Sequence, residues 1–490
     1  MRLRIGVVVA GAALLCAAPA AAFTPSNPYY AKQWYLSQDH AFDAWTVPPY
    51  ASWSQTPVKV GIIDSGVDCS LPDLQQQVVA ERTFVGGGLC TDNEGHGTIV
   101  AGEIAAALDT SGAVGLDPAA KLVVAKVVDS DGTIPLKAEA EAIRWAVDQG
   151  VRVINLSLGG VRDPANKRWD THSRQEAAAV AYAVRKGVLV VAAVGNSDDA
   201  PTTPWPYASW PAALPHVIGV GALNRSGNVP EFSDRDRLFV DLAAPAVSIF
   251  STFPSNLTAQ QSACTPQGYT DCAIGDYAQP QGTSFAAPQV SAAAAVLFGI
   301  DPLLTSNQVA TILERSAADV NASTGCAACP AGRDKYSGWG RLDVLSAVTW
   351  LASSPLPAVD RYEPNDSPAL APKLWGKRRV VRASLDYWDD RADFYRLKLR
   401  KGQRLQLHAA AKWPGAKLRL TMLGPQVRSS QRAGRVVRRV ARSAAARATQ
   451  HLTYRAPRTG WYYVELQVKR HGGGGYMLRL AKLAPKSASG

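Results

Sequence analysis

Four polar side chains in this 490-residue chain stand where apolar runs begin or end. Asp64 closes "VKVGIID", His96 lies between two glycines in "NEGHGTIVAG", Asn196 follows "GVLVVAAVG", and Ser284 opens "QGTSFAAPQVSAAAAVLF". Each has an ordinary structural reading. Ser284 can cap a helix, Asp64 and the Gly195-Asn196 pair suit turns, and His96 can be a polar residue at a helix mouth. Together they supply one member of each group that acyl transfer at a serine requires. A serine hydroxyl attacks a carbonyl when an imidazole takes its proton. The imidazole needs a carboxylate to hold its tautomer and stabilise its cation, and the oxyanion of the tetrahedral intermediate needs a preorganised donor such as a side-chain amide. The order Asp…His…Ser is one in which this constellation occurs. Gly95 and Gly97 permit the close backbone approach that an active histidine needs.

These groups need a scaffold that brings strand ends together. From Pro57 to about Gly221, β-rich runs ("VKVGIID", "AKLVVAKVV", "VRVINLSL", "GVLVVAAVG", "HVIGVGAL") alternate with amphipathic helical ones ("LKAEAEAIRWAVDQG", "SRQEAAAVAYAVRKG"). Short, near-continuous apolar strands separated by helices predict an α/β fold, a mostly parallel sheet covered on both faces. In such a sheet functional groups gather beyond the carboxyl ends of the strands.

Taken in order, "GIIDSGVD", "GHGTIVAG", "NLSLGG", "AAVGNS", "FSD…DLAAPAVSI" and "GTSFAAP" resemble the subtilisin-like serine proteases, the subtilases, over roughly Tyr29 to Leu351. The resemblance implies a serine endopeptidase acting on protein or peptide substrates through an acyl-enzyme. It makes Asp64 the orienting acid, His96 the general base and Ser284 the nucleophile, with Asn196 and the Ser284 backbone N–H as the oxyanion hole. It further implies that Ser157, Leu158 and Gly159 bind substrate backbone as an added strand, and that Ala192, Ala193 and Val194 line a primary specificity pocket. Those small apolar residues lead to an expectation of broad, apolar-leaning cleavage. Ile99 and Gln289 stand where the family usually has histidines, and Ala246 where it has glycine. "PSNPYYAKQWYL" is similar to the N-terminal arm of thermitase-like members, with Asn27 in place of a calcium-binding aspartate. A neutral amide is a weaker ligand for a hard cation, so calcium dependence is expected to be weak or absent, and no cofactor is required for catalysis.

Residues 1–22 read as an export signal: Arg2 and Arg4, an apolar run from Ile5 to Leu15, and small residues at Ala20-Ala21-Ala22. No later apolar run reaches the ~18 residues needed to span a bilayer, so a secreted, extracellular monomer is expected. Six cysteines follow the signal: Cys69, Cys90, Cys264, Cys272, Cys326 and Cys329. An even number in an exported chain suggests disulfides, and pairing of neighbours is the expectation among 15 connectivities. Zinc is the rival reading for Cys326-Ala-Ala-Cys329, but no second ligand pair lies at suitable spacing.

The net charge of +12 conceals two unlike parts. From Ser353 onward there are 29 Lys and Arg against 8 Asp and Glu, a balance of +21 that leaves −9 for the rest. This predicts a catalytic domain over 23–352, a linker over 353–358 and a second domain over 359–485. Runs such as "ADFYRLKLRKGQRLQLHAAA" and "GWYYVELQV" alternate with turn residues as in a small all-β sandwich. With "EPND" and Asp390 to Tyr395, the segment resembles the bacterial pre-peptidase C-terminal domain. Val427 to Gln450 holds seven arginines and no acid. It reads either as a solvated loop or as a contact for an anionic cell-surface polymer. Lacking interleaved aromatics, it offers no specific nucleic-acid site.

Overall fold

The computed structural model describes residues 23–48, 56–260, 270–273, 276–425 and 439–484. The expected signal segment lies outside them. Seven parallel strands form the main sheet: β1 (Lys59–Asp64), β2 (Val78–Thr83), β3 (Lys121–Lys126), β4 (Val153–Leu156), β5 (Leu189–Ala193), β6 (Val217–Leu223) and β7 (Leu242–Pro245), in the order β2-β3-β1-β4-β5-β6-β7. The order reverses around β1, and that switch point is where the end of an open α/β sheet leaves a crevice.

Helices among the described residues are α1 (Trp34–Gln38), α2 (Ala41–Ala44), α3 (His96–Ala105), α4 (Leu136–Asp148), α5 (Arg174–Arg185), α6 (Ser255–Gln260), α7 (Ala287–Ile300), α8 (Ser306–Ser316) and α9 (Val344–Ser353). Alternation along the strands splits the core in two. Ile63, Val123 and Val190 pack under α4 and α5, with Ile143 and Val180. Ile62, Val124 and Val191 pack under α3, α7 and α8, with Ile99, Val290 and Leu313. Both amphipathic runs are helices as expected. Ser173 accepts the Glu176 N–H at 3.2 Å as the N-cap of α5. The stretch Thr283–Ile300 is long and apolar enough to cross a bilayer, but 89% of it is buried inside the domain, which makes it a core helix.

Two strands escaped the sequence pattern. β2 is a half-exposed edge strand carrying Glu81 and Arg82, and β7 is four residues ending in proline. A small antiparallel sheet, β8 (Ser251–Thr252), β9 (Thr270–Ala273) and β10 (Tyr277–Pro280), joins in the order β8-β10-β9.

The back of the chain is all β: β11 (Arg378–Asp386), β12 (Ala392–Leu399), β13 (Arg404–Ala411), β14 (Leu418–Leu423), β15 (Arg439–Arg442), β16 (Thr449–Arg455), β17 (Gly460–Val468) and β18 (Gly473–Leu483). Two four-stranded sheets, β11-β18-β13-β16 and β12-β17-β14-β15, enclose a core of Leu397, Leu407, Leu420, Tyr462, Val464 and Leu478. Residues 427–438 of the Arg-rich run lie outside the described residues; the remainder supplies β15 and the start of β16. This domain meets the first through named contacts. His216 Nε2 lies 2.6 Å from Asp366 Oδ2 and 3.3 Å from Glu363 Oε2, and Gln308 donates to the Pro357 carbonyl at 2.8 Å.

Two expected disulfides are present, Cys69–Cys90 and Cys326–Cys329, with Cα–Cα separations of 4.9 and 5.3 Å. Cys264 lies outside the described residues, and with it the expected 264–272 pairing.

Candidate active site

Asp64 is the last residue of β1 and is 3% exposed, so its carboxylate sits in a site with little water. Its Oδ1 accepts from the Ser65 N–H at 2.8 Å and lies 2.7 Å from His96 Nδ1. His96 is the first residue of α3. That helix is seated by groups which the sequence reading missed. Buried Asp92 accepts from the Gly95 N–H at 2.8 Å, the Thr98 N–H at 2.9 Å and the Thr98 hydroxyl at 2.7 Å, satisfying the Gly95 cap donor and one orphan donor of the first turn. The Ser65 hydroxyl donates to Asp92 at 2.9 Å and accepts from the Gly97 N–H at 2.9 Å. Gly97 packs so closely on the Gly66 carbonyl that a Cβ there would collide with it. The Cys69–Cys90 bridge ties the chain leaving β1 to the chain entering α3, so Asp64 and His96 are fixed to each other from both sides.

Ser284 is the middle residue of a single 3₁₀ turn, Thr283–Phe285, that leads into α7. The His96 ring packs against Phe285 at 5.2 Å between centroids, which sets α3 beside the turn. The Ser284 hydroxyl donates to the Ser157 carbonyl at 3.1 Å, and the Ser157 hydroxyl donates to the Ser284 carbonyl at 2.6 Å. Behind them Asn155 donates to Ser157 Oγ and accepts from Ser291 of α7, both at 2.9 Å. This buried chain anchors the serine turn to the end of β4.

Asn196 follows β5. Its Oδ1 accepts both the Thr283 N–H and the Thr283 hydroxyl at 3.0 Å. The amide is thereby oriented with its Nδ2 hydrogens donating to none of the described residues. Gly195 takes φ of +104°, and a side chain there would strike Ser209 and Asp234. Ser157, Leu158 and Gly159 run on from β4, progressing from buried to exposed, and Gly160 pairs with Trp210 through two 2.9 Å hydrogen bonds. Ala192 and Val194 point into the core under α4 and α5, and Ala193 into the opposite core. Their side chains are packing groups of the sheet.

Gln289 and Glu103 join α7 to α3: Gln289 Nε2 donates to Glu103 Oε2 at 3.0 Å, to the Phe285 carbonyl at 2.6 Å and to the Pro245 carbonyl at 2.8 Å. Burial, with the charge of Asp39 added, holds the Glu103 carboxyl well above its ordinary pKa against the pull of the Gln289 hydrogen bond. Ile99, the other departure from the family pattern, is fully buried in the core under α3 and α7.

Burial pulls the His96 pKa down. The charge and hydrogen bond of Asp64, followed by the charges of Glu94 and Asp92, outweigh that and leave it above the ordinary histidine value.

The arrangement holds an imidazole by a buried carboxylate, a hydroxyl on a rigid turn and an oriented amide at the ends of neighbouring strands. The subtilase family model matches residues 55–340. Subtilisin DY of Bacillus licheniformis is 36% identical over 292 residues, spanning 59% of this chain and 90% of that protein. Subtilisin E of Bacillus subtilis (strain 168) is 34% identical over 291 residues, spanning 59% of this chain and 65% of that protein. Thermitase of Thermoactinomyces vulgaris is 32% identical over 332 residues, spanning 67% of this chain and all of that protein. The β domain from Arg378 lies beyond the matched family range. The chain belongs to the subtilase family and is a subtilisin-like serine endopeptidase, a hydrolase.

Proposed function

We propose that Asp64, His96 and Ser284 form the catalytic triad of a secreted endopeptidase with broad, apolar-leaning specificity, and that Asn196 with the Ser284 N–H forms the oxyanion hole. The observation that carries this reading is the 2.7 Å Asp64–His96 contact on a helix whose histidine ring packs beside the Ser284 turn. The Ser284 hydroxyl leaves the Ser157 carbonyl, gives its proton to His96 Nε2, and its oxygen attacks the scissile carbonyl carbon. The Nδ1–H stays on Asp64, which stabilises the imidazolium. The C=O π pair moves to oxygen, where Asn196 Nδ2 and the Ser284 N–H receive the charge. On collapse the C–N bond breaks and His96 returns the proton to the leaving amine. Water then attacks the acyl-enzyme by the same path in reverse.

Gly159 is exposed, and the Ser157–Gly159 segment is proposed to take substrate backbone as an added strand. With the side chains of Ala192, Ala193 and Val194 buried in the two cores, the pocket reading for this stretch rests on the backbone of the strand end and on its lack of charge. Profiling cleavage of a mixed peptide library tests it. Many sites with apolar residues before the cut are expected, and a single sequence would identify a processing enzyme instead.

Asn196→Ala is expected to lower kcat about 10²- to 10³-fold with KM little changed, since the amide acts on charge that develops only in the transition state. Steady-state kinetics checks it. Because the base must be neutral and its pKa is raised, kcat/KM should be lost as pH falls through a midpoint above the ordinary histidine value of ~6.5. Glu94→Gln removes one charge that raises it, so the acid limb should move to lower pH by roughly a few tenths of a unit. A pH–rate profile reads both.

The calcium expectation meets an unforeseen feature. Asn27 is fully buried, and its Nδ2 faces the carbonyls of Ala107, Ser111 and Ala113 at 2.9, 2.5 and 2.9 Å and Asp109 Oδ1 at 3.3 Å. Four acceptors converge on a group with two hydrogens. An all-oxygen cage of this kind fits a calcium ion with the Asn27 amide turned to present its oxygen. We therefore propose structural calcium there, held by these carbonyls, Asp109 and Asn27. Adding EGTA is expected to lower Tm measurably; an unchanged Tm would support the weak dependence read from Asn27 alone.

For the β domain we retain the likeness to a pre-peptidase C-terminal domain and a role in holding an anionic surface polymer. Supporting it, Arg378, Arg382, Arg404, Arg455 and Arg479 alternate with the core residues of the β11-β18-β13-β16 sheet and so face outward, with His408 opposite His451 at 4.5 Å. Short of Asp386, the outward positions of these strands carry no carboxylate.

A further inference from the structure

A cavity of about 490 Å³ lies at the seam between the two domains, away from the catalytic groups. It is lined from the front by α8 and the entry to β6, and from the back by β11, β18 and the turn before β12. Seven carboxylates line it against three permanent cations, Arg315, Arg382 and Lys412. Three of the acids converge: Asp241 just before β7, Glu314 on α8 and Asp389 before β12 bring one oxygen each within 4.8 Å of one another.

The two arginines beside the three acids are already engaged. Arg333 donates to Asp241 Oδ1 at 3.0 Å and to the carbonyls of Arg237, Leu238 and Val240. Arg315 stacks on Trp339 at 3.5 Å and reaches Asp386 at 3.4 Å, leaving Asp389 at 3.8 Å. Glu314 is 5% exposed, borders the cavity, and makes no hydrogen bond or ion pair among the described residues. A buried carboxylate without a partner is costly. Burial, then the charges of Asp389 and Asp241, hold its pKa well above the usual value despite both arginines. Asp241 pairs with Arg333 and Asp389 with Arg315, while Glu314 pairs with no cation among the described residues.

We propose that Glu314, Asp241 and Asp389 hold a divalent cation of the calcium class that ties the C-terminal β domain to the catalytic domain. The three donors are all carboxylate oxygens, the set preferred by hard cations over zinc or copper. Two come from the front domain and one from the back, so the ion crosslinks them. The site is separate from the Asn27 cage, which lies wholly within the first domain.

The test uses the full chain in a Ser284→Ala background, which prevents self-cleavage. Bound calcium is counted by native mass spectrometry after EGTA treatment and calcium titration, and terbium luminescence is excited through tryptophan, Trp388 bordering the cavity. Glu314→Gln and Asp389→Asn are each expected to bind one equivalent fewer than the parent and to lose the matching terbium signal. Circular dichroism confirms folding. Asp389, about one-third exposed, keeps the test available if the Glu314 variant fails to fold. Cutting of the 353–358 connection, which holds small residues and no Lys or Arg, by pancreatic elastase should rise at least severalfold on EGTA addition to the parent and no further in the variants. An unchanged calcium count in a folded Asp389→Asn variant overturns the proposal, and so does a parent whose 353–358 connection is cut equally with and without EGTA.

Discussion

Ser284→Ala and His96→Ala are each expected to lower kcat by about six orders of magnitude, and the double variant to lose no more than either alone. The non-additivity follows from the chemistry. His96 serves only to move the Ser284 proton, and Ser284 is inert without that transfer, so removing either removes the same step. A residue of roughly 10³–10⁴ over the uncatalysed rate should survive, because the oriented Asn196 amide and the Ser157–Gly159 edge remain. Measurement of kcat on a chromogenic peptide, at a protein concentration fixed by absorbance, reads all three variants. A double variant much worse than both singles would mean that the two side chains act independently, contrary to a shared proton path.

Asp64→Asn is expected to lower kcat about 10⁴-fold with KM little changed. Asp64 Oδ1 accepts from the Ser65 N–H and holds His96 Nδ1 at 2.7 Å. An amide can turn its N–H₂ toward Nδ1, which drives the imidazole proton to Nε2, the atom that must accept from Ser284. The fold should stay intact, since Asp92, Ser65 and the Cys69–Cys90 bridge seat α3 without help from the second carboxylate oxygen. Kinetics beside a thermal melt separates the readings. A loss under tenfold would remove Asp64 from the triad, and a collapse in Tm would make its role structural.

Much of the catalytic domain was legible because a parallel sheet writes itself as short apolar runs. β1, β3, β4, β5 and β6 all fall on such runs, and Asp64 and Asn196 were found as their polar ends. β2 was missed because an edge strand with Glu81 and Arg82 lacks that signature, and β7 because four residues ending in proline resemble a loop. Residue type and chain order picked out the four chemical groups, but the holders of those groups were invisible. Asp92, Ser65, Asn155 and Ser291 act through contacts between residues 27 to 136 positions apart, which no local pattern reports. The same limit hid the carbonyl cage around Asn27, since backbone oxygens carry no sequence signal. Gln289 was noted as a departure but not its partner Glu103, 186 residues away, which links the histidine and serine helices. The domain seam, with His216 against Asp366 and Glu314 facing Asp389, needed both domains in place.

The most direct test of the central claim is intact-mass labelling of the purified, folded protein with a fluorophosphonate, alongside Ser284→Ala. One stoichiometric adduct is expected on the parent, mapped to Ser284, and none on the variant. No adduct on the folded parent, or an equal adduct on the variant, would contradict an assembled nucleophile at Ser284.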